Sequence, residues 1–336
     1  MLHETDQSFL HPQDIGVILS YRCQSACKHC LYNCGPTWQE WISPEDIRQV
    51  LQAVASLGDD VQIHITGGEP FLNFPLLLQA VEIAAELDIP RYVETNAGWC
   101  THPDQVYDRF TILREAGLQA IMISCSPFHA ETIPPHRTFA AIDIALQVFG
   151  SRRVMVYLPE WIDHMGRFDT HKPVPLERHI KAYGLEPAGL LLWDGYGLIS
   201  GGRAGYQLGY LTDKHPASAF RFDDCYTDIL YARHSHFDLY GNFISGFCGG
   251  LSIGTWRELE RLLDEYAKGM YPTLISVLLE KGPYGLYELA VAHYGYQPLD
   301  GGYAGKCHLC VDVRRQLARS ERFPELAPQQ FYDIIP

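Results

Sequence analysis

Between about residue 15 and residue 195, short β-rich runs alternate with helical patterns, and this alternation limits the fold more than any other feature. Strand candidates fall at Ile15–Ser20, Val61–Thr66, Arg91–Thr95, Gln119–Ser124, Arg153–Leu158 and Gly189–Trp193. The first helix begins at Ser43-Pro-Glu-Asp, which supplies an N-cap, a proline at the first helical position and two first-turn acids, and runs to Leu57. Further helices are expected at Phe74–Leu87, Asp104–Ala116, Pro135–Phe149 and Leu176–Tyr183. Strand–helix units in series imply a parallel sheet with right-handed crossovers. On such a sheet, reactive residues belong at the C-terminal ends of the strands.

After about residue 200 the rhythm changes. Gly201-Gly-Arg-Ala-Gly205 leads to a hairpin turning at Asp238–Asn242, and helical patterns follow near 255–268, 273–280 and 284–294. A last helix opens at Cys307-His-Leu-Cys310. The expected division is a large domain over residues 1–205 and a smaller α+β domain over 206–336.

The 40 acids and 26 bases leave a formal charge of −14, with no cluster of Lys and Arg for phosphate. Nucleic acid is therefore not the expected partner. No apolar run approaches the roughly 18 residues of a membrane span, and Met1-Leu-His-Glu-Thr-Asp lacks a signal sequence. The expected location is cytoplasmic, where ten cysteines read as metal ligands or reactive thiols before disulfides.

Cys23-Gln-Ser-Ala-Cys27-Lys-His-Cys30 follows the first strand directly. Three thiolates in C-x3-C-x2-C spacing can bind three corners of a four-iron cluster and leave the fourth iron without a protein ligand. S-adenosylmethionine can chelate such an iron through its methionine amine and carboxylate. Three buried cysteines on one helical face would share these offsets, but Arg22, Lys28 and His29 interleave them. Zinc would need a fourth ligand from elsewhere. Gly67-Gly-Glu-Pro70 follows the second strand at the same mouth. Its glycines allow close backbone approach, and Glu69 can accept a hydrogen bond from an ammonium group.

With these two motifs the sequence resembles the radical S-adenosylmethionine (radical SAM) superfamily over about residues 14–205. The resemblance implies an α/β fold, a partial (β/α)6 TIM-like barrel. It implies a [4Fe–4S] cluster on Cys23, Cys27 and Cys30, with contacts to the methionine amine from Gly67, Gly68, Glu69 and Pro70. His29 takes the position that packs near adenine, and Thr95, Asn96 and Ser124 match strand-end groups for the ribose and carboxylate. An electron donor of the flavodoxin or ferredoxin type is implied as well.

Cys225, Cys248, Cys307 and Cys310 lie in the smaller domain, the last two in C-x-x-C spacing. With Gly202-Arg203-Ala204 they resemble the SPASM/twitch extension of radical SAM enzymes. A full SPASM domain carries more cysteines than these four, so the likeness points to a shorter, twitch-like form with a second, auxiliary [4Fe–4S] cluster. Structural zinc is the alternative. Cys34, Cys100 and Cys125 remain. Cys100 and Cys125 follow the third and fourth strands, so either is a candidate hydrogen-atom donor at the mouth, or a passive lining residue. Further candidates there are His129, Glu131, Trp193, Asp194, Tyr196 and Arg203, with Asp194 expected at the end of the sixth strand.

The resemblance implies reductive cleavage of S-adenosylmethionine to a 5′-deoxyadenosyl radical and hydrogen abstraction from a peptide or protein side chain. Oxidation, cross-linking or epimerisation would follow. Only some fourteen residues precede the first strand, leaving no room there for a leader-peptide recognition domain. A small-metabolite substrate is the alternative. A non-catalytic iron–sulfur electron carrier and a zinc-binding module are the readings from other classes.

Overall fold

Ile and Val dominate the first strand, and Asp14–Ile18 (β1) is buried along nearly its whole length, as a central parallel strand must be. The computed structural model describes residues 10–335; the reading of Met1–Asp6 as lacking a signal sequence lies outside them. Strands β2 (Gln62–Thr66), β3 (Arg91–Thr95), β4 (Ala120–Ser124) and β5 (Val154–Tyr157) follow in order. Each pairs in parallel with its predecessor.

The connecting helices form where their caps and periodicity predict. In Pro44–Ala55 the Ser43 hydroxyl accepts from the Asp46 N–H at 3.0 Å, and Ile47, Val50, Leu51 and Val54 make one buried stripe. Those four side chains contribute about 1.5–3 kcal/mol each on burial. Phe74–Glu86, Pro103–Glu115 and Pro135–Phe149 follow, each with its own buried apolar residues, and Asn73 caps the first of them.

The sixth strand lies elsewhere than expected. Residues 189–193 are helical, with Leu185–Gly189 continuing directly into the turn Leu190–Asp194. A short apolar run does not distinguish strand from buried helix, and three leucines without a β-branched residue favour helix. The sixth parallel strand is instead β6 (His234–Asp238), which pairs with β1 on its free edge. The turn at Asp238–Asn242 then leads to β7 (Asn242–Ser245) and the short β8 (Gly254–Thr255), both antiparallel. The sheet is a partial barrel of eight strands in the order β5-β4-β3-β2-β1-β6-β7-β8, mostly parallel and not closed.

One hydrophobic core runs from β1 through Phe237 and Phe243 to Leu309 and Phe331, continuous across residue 205. The helix Thr273–His293 is broken at Gly282-Pro283, where Gly282 takes φ 59° and a side chain would collide with the Asp223 carbonyl. That break lets the backbone ahead of Cys225 pass close by. Among the described residues, no helix is long and apolar enough to cross a membrane.

Candidate active site

β1 through β4 deliver their C-terminal ends to one mouth. The chain leaving β1 forms the cysteine loop. The Cys23 N–H donates to the Gly35 carbonyl at 3.1 Å, and the Cys30 N–H to the Cys27 carbonyl at 3.1 Å. Cys23 Sγ accepts from the Ser25 N–H at 3.4 Å and from Asn96 Nδ2 at 3.3 Å. Burial first, then the charge of Glu69, pushes the Cys23 thiol up to about 12. Burial, with the neighbouring Cys23 and Cys30, raises Cys27 as well. Cys30 is lowered, chiefly by the hydrogen bond from the Cys34 thiol. All three thiols are free, and their mutual charges register on one another. Such a set holds together as thiolates only when a cation offsets their charge, so the donor set fits an iron–sulfur cluster.

The Gly67–Pro70 segment meets this loop through its backbone. Gly68 N–H donates to the Ser20 carbonyl at 2.8 Å and Glu69 N–H to the Arg22 carbonyl at 2.9 Å. A Cβ at Gly67 would overlap the Ser20 carbonyl, and one at Gly68 the Arg22 carbonyl. The close approach that these glycines serve is thus to the strand end that launches the cysteines. Pro70 opens a short 3-10 turn behind it. Glu69 is 1 % exposed. Its carboxylate accepts from the Thr95 hydroxyl at 3.0 Å, the Asn96 N–H at 2.9 Å and the Phe71 N–H at 3.2 Å. Burial outweighs these bonds and pushes its carboxyl up to about 7. Asn96 also accepts at Oδ1 from Gln24 at 2.7 Å, so one residue ties the end of β3 to two positions of the cysteine loop.

His29 stacks on Phe128 at 4.8 Å, with the Tyr196 ring edge-on at 5.6 Å, and burial holds its imidazole neutral. His129 meets it edge-on, and Glu131 pairs with Lys28 at 2.6 Å. Ser124 ends β4 half-buried. Cys125, next along, is 0 % exposed in a separate apolar cluster with Phe128, Trp161 and Trp193, and burial raises its thiol to about 12. Cys100 is 5 % exposed within the main core. Neither thiol opens onto the surface. Asp194 is exposed on the helical segment, away from any strand end, which corrects its expected place.

Arg203 is the member whose position the sequence showed least. Its Nε donates to the Cys27 carbonyl at 2.9 Å, its N–H reaches the Cys30 carbonyl at 3.2 Å, and Nη2 is buried without a partner. A Cβ on Gly202 would overlap the Cys30 carbonyl, and Gly201 lies 3.8 Å from Cys307 Cβ on the same measure. The segment 201–205 therefore lies between the two cysteine groups.

The second group assembles from three places. Cys225 caps the helix Tyr226–Leu230, Cys248 follows β7, and Cys307 and Cys310 sit in the first turns of Lys306–Ala318. Cys225 senses the charges of the other three, and Cys248 and Cys307 both sense Cys310. Burial raises Cys248 and Cys307 to about 12. Two cations face the group: Arg314, buried and bonded to the Gly249 carbonyl at 3.1 Å, and Lys306, bonded to Asp228 at 2.7 Å.

Residues 17–153 match the radical SAM superfamily model. Over 148 residues the chain is 26% identical to YydG of Bacillus subtilis strain 168, named for peptide biosynthesis, covering 41% of this chain and 46% of that one. Over 80 residues it is 29% identical to an S-adenosylmethionine-dependent nucleotide dehydratase of Fibrobacter sp. strain UWH6, covering 22% and 24%. The matches thus span under half the length of these relatives. Among solved structures it is similar to BtrN in complex with AdoMet and 2-DOIA, at 14% identity and TM-score 0.47 over 81% of this chain and 89% of that one. It is also similar to anSMEcpe with bound AdoMet and a peptide, at 11% identity and TM-score 0.32 over 77% and 82%. Residues 17–153 are thus a radical SAM domain.

Proposed function

We propose that this enzyme holds a [4Fe–4S] cluster on Cys23, Cys27 and Cys30, binds S-adenosylmethionine there, and abstracts a hydrogen atom from a peptide substrate. The observation that carries this reading is the convergence of three free thiols with Glu69 and Asn96 at the ends of β1, β2 and β3. The bound cluster and cofactor supply reductive cleavage to a 5′-deoxyadenosyl radical. The protein's part is positional. Asn96 and the Ser25 N–H orient the Cys23 sulfur, Arg203 sets a fixed cation against the loop, and Glu69 offers a carboxylate to an ammonium group. Thr95, Gly67, Gly68 and Pro70 hold that carboxylate in place, His29 and Tyr196 offer an aromatic wall for adenine, and Ser124 a hydroxyl at the half-buried rim. Cys100 and Cys125 would reach a substrate radical only after a side-chain or loop movement.

Cys225, Cys248, Cys307 and Cys310 hold an auxiliary [4Fe–4S] cluster in this proposal. Arg314 and Lys306 offset the added negative charge. Such a centre would be able to accept an electron released by substrate oxidation, and a flavodoxin- or ferredoxin-type protein would supply the electron for the first cluster. The resemblance to a protein named for peptide biosynthesis favours a peptide. The shorter match to a nucleotide dehydratase favours a small molecule as the second reading.

Anaerobically reconstituted protein with S-adenosylmethionine and dithionite is expected to form 5′-deoxyadenosine, and Cys27→Ala to form none. Cluster-loaded wild type that forms none would refute the proposal. Deuterium transfer into 5′-deoxyadenosine from labelled peptide, or from labelled nucleotide, separates the two substrate classes.

A further inference from the structure

Three histidines that no motif pointed to meet on one face of the sheet. His64 of β2 and His236 of β6 flank Gly16 of β1 on either side, in the same register row. His234 lies one row nearer the strand N-termini. Their ligand atoms all lie within 4.8 Å of one another, the only such set of three among the described residues. His64 is 0 % exposed, His236 is 4 % exposed and His234 is half-buried.

Every Nδ1 in the set is hydrogen-bonded, so Nε2 is the ring nitrogen each histidine has left for a ligand. His64 donates from Nδ1 to Asp14 Oδ1 at 2.9 Å, and His234 from Nδ1 to Asp14 Oδ2 at 3.3 Å. His236 Nδ1 meets the Tyr32 hydroxyl at 2.9 Å, and Tyr32 in turn donates toward the Gly246 carbonyl at 3.4 Å. Tyr92 donates to Asp14 Oδ2 at 3.2 Å and secures the carboxylate. Histidines that ligate a metal are oriented in this way, with the far ring nitrogen bonded to a carboxylate or another acceptor.

The facing side is left open. Fully buried His64 Nε2 has no hydrogen-bond partner, a costly state for a polar atom unless something binds it. Glycine at position 16 keeps the space clear: a Cβ there would lie 2.5 Å from His64 Nε2 and 2.7 Å from His236 Nε2. Glu94 Oε1 stands 3.8 Å from the same His64 nitrogen. Asp14 and Glu94 together carry the two negative charges that would balance a divalent ion. A cleft of about 480 Å³ at the strand N-termini, lined by Gln13, Asp14, Gln62 and His234, opens beside the set.

We propose that His64, His234 and His236 form a binding site for one divalent first-row transition ion of the zinc or ferrous type, with Glu94 beside the open position. Imidazole ligands select that class over magnesium or calcium. The ion ties β2 to β6 across β1, and so clamps the strand from the C-terminal part of the chain onto the barrel edge. Its ligands are distinct from those of both cysteine groups.

Cluster-loaded full-length protein, stripped of loosely held metal, is dialysed anaerobically to equilibrium against micromolar zinc, and zinc and iron are measured in the same sample. The expected result is one zinc per chain with iron unchanged, and a thermal midpoint that rises with zinc. His64→Gln with His236→Gln should lose the zinc, and Asp14→Asn should weaken its binding roughly 10–100-fold. His234→Gln, at the half-buried ligand, tests the site without touching the two buried histidines, with iron content as the check on the fold. It should weaken zinc binding at least tenfold. The proposal is overturned if wild type takes up no zinc beyond its iron, or if His234→Gln and the double variant bind it as wild type does. An imidazolium held between Asp14 and Glu94, without any metal, would give the first of these outcomes.

Discussion

Glu69→Gln tests what the buried carboxyl costs the fold and what it gives the site. An ordinary carboxyl near 4.5 in the unfolded chain is raised to about 7 in the folded protein, with burial as the leading cause. Between these values the folded state keeps a proton that the unfolded state has released. The contribution to stability is therefore complete below pH 4.5 and is lost as the pH rises through 7. From pH 6 to pH 8.5 the part still to be lost is about 1.4 kcal/mol. Glutamine does not titrate, so its stability should lack this component. Its amide also turns an –NH2 toward donors from Thr95, Asn96 and Phe71, a pH-independent cost of about 1–3 kcal/mol. The readout is accordingly the slope and not the level. Urea unfolding of cluster-loaded protein without S-adenosylmethionine, at several pH values in this window, should show wild type weakening by about 1.4 kcal/mol relative to the variant. Parallel curves would refute the assigned burial cost. In the same variant S-adenosylmethionine binding should weaken about tenfold or more if Glu69 receives the ammonium group, and equal binding would remove that role.

Cys307→Ala is expected to lower the iron content from about eight to about four per chain, to spare uncoupled 5′-deoxyadenosine formation and to stop product formation. Unchanged turnover would remove the auxiliary centre from the reaction. Gly68→Ala forces a methyl group against the Arg22 carbonyl. It should destabilise the protein by about 1–3 kcal/mol, read as a lower urea midpoint, and weaken cluster retention because Arg22 directly precedes Cys23. An unchanged midpoint would show that the loop can yield.

The parallel sheet and its mouth were legible in the amino-acid order because their signals are local. Ser43-Pro44 caps a helix through bonds to its own first turn, and period-two apolar runs such as Gln62–Thr66 form strands wherever both faces are covered. Spacing alone brought Cys23, Cys27 and Cys30 together, since an eight-residue stretch keeps its members close whatever surrounds it. Gly189–Trp193 shows where local signals end, because an apolar run of leucines packs as either strand or helix and only the neighbouring Leu185–Gly189 turn decides.

Long-range pairing decided the rest. Nothing near His234 in the chain shows that β6 would lie beside β1, more than 200 residues earlier, and that pairing alone sets His64, His234 and His236 around Gly16. Arg203 likewise gains its meaning only where the chain folds back onto the Cys27 and Cys30 carbonyls. Composition and spacing can state which ligands a chain owns. Which of them face one another depends on strand order, and strand order is settled by burial of the whole sheet rather than by any segment of it.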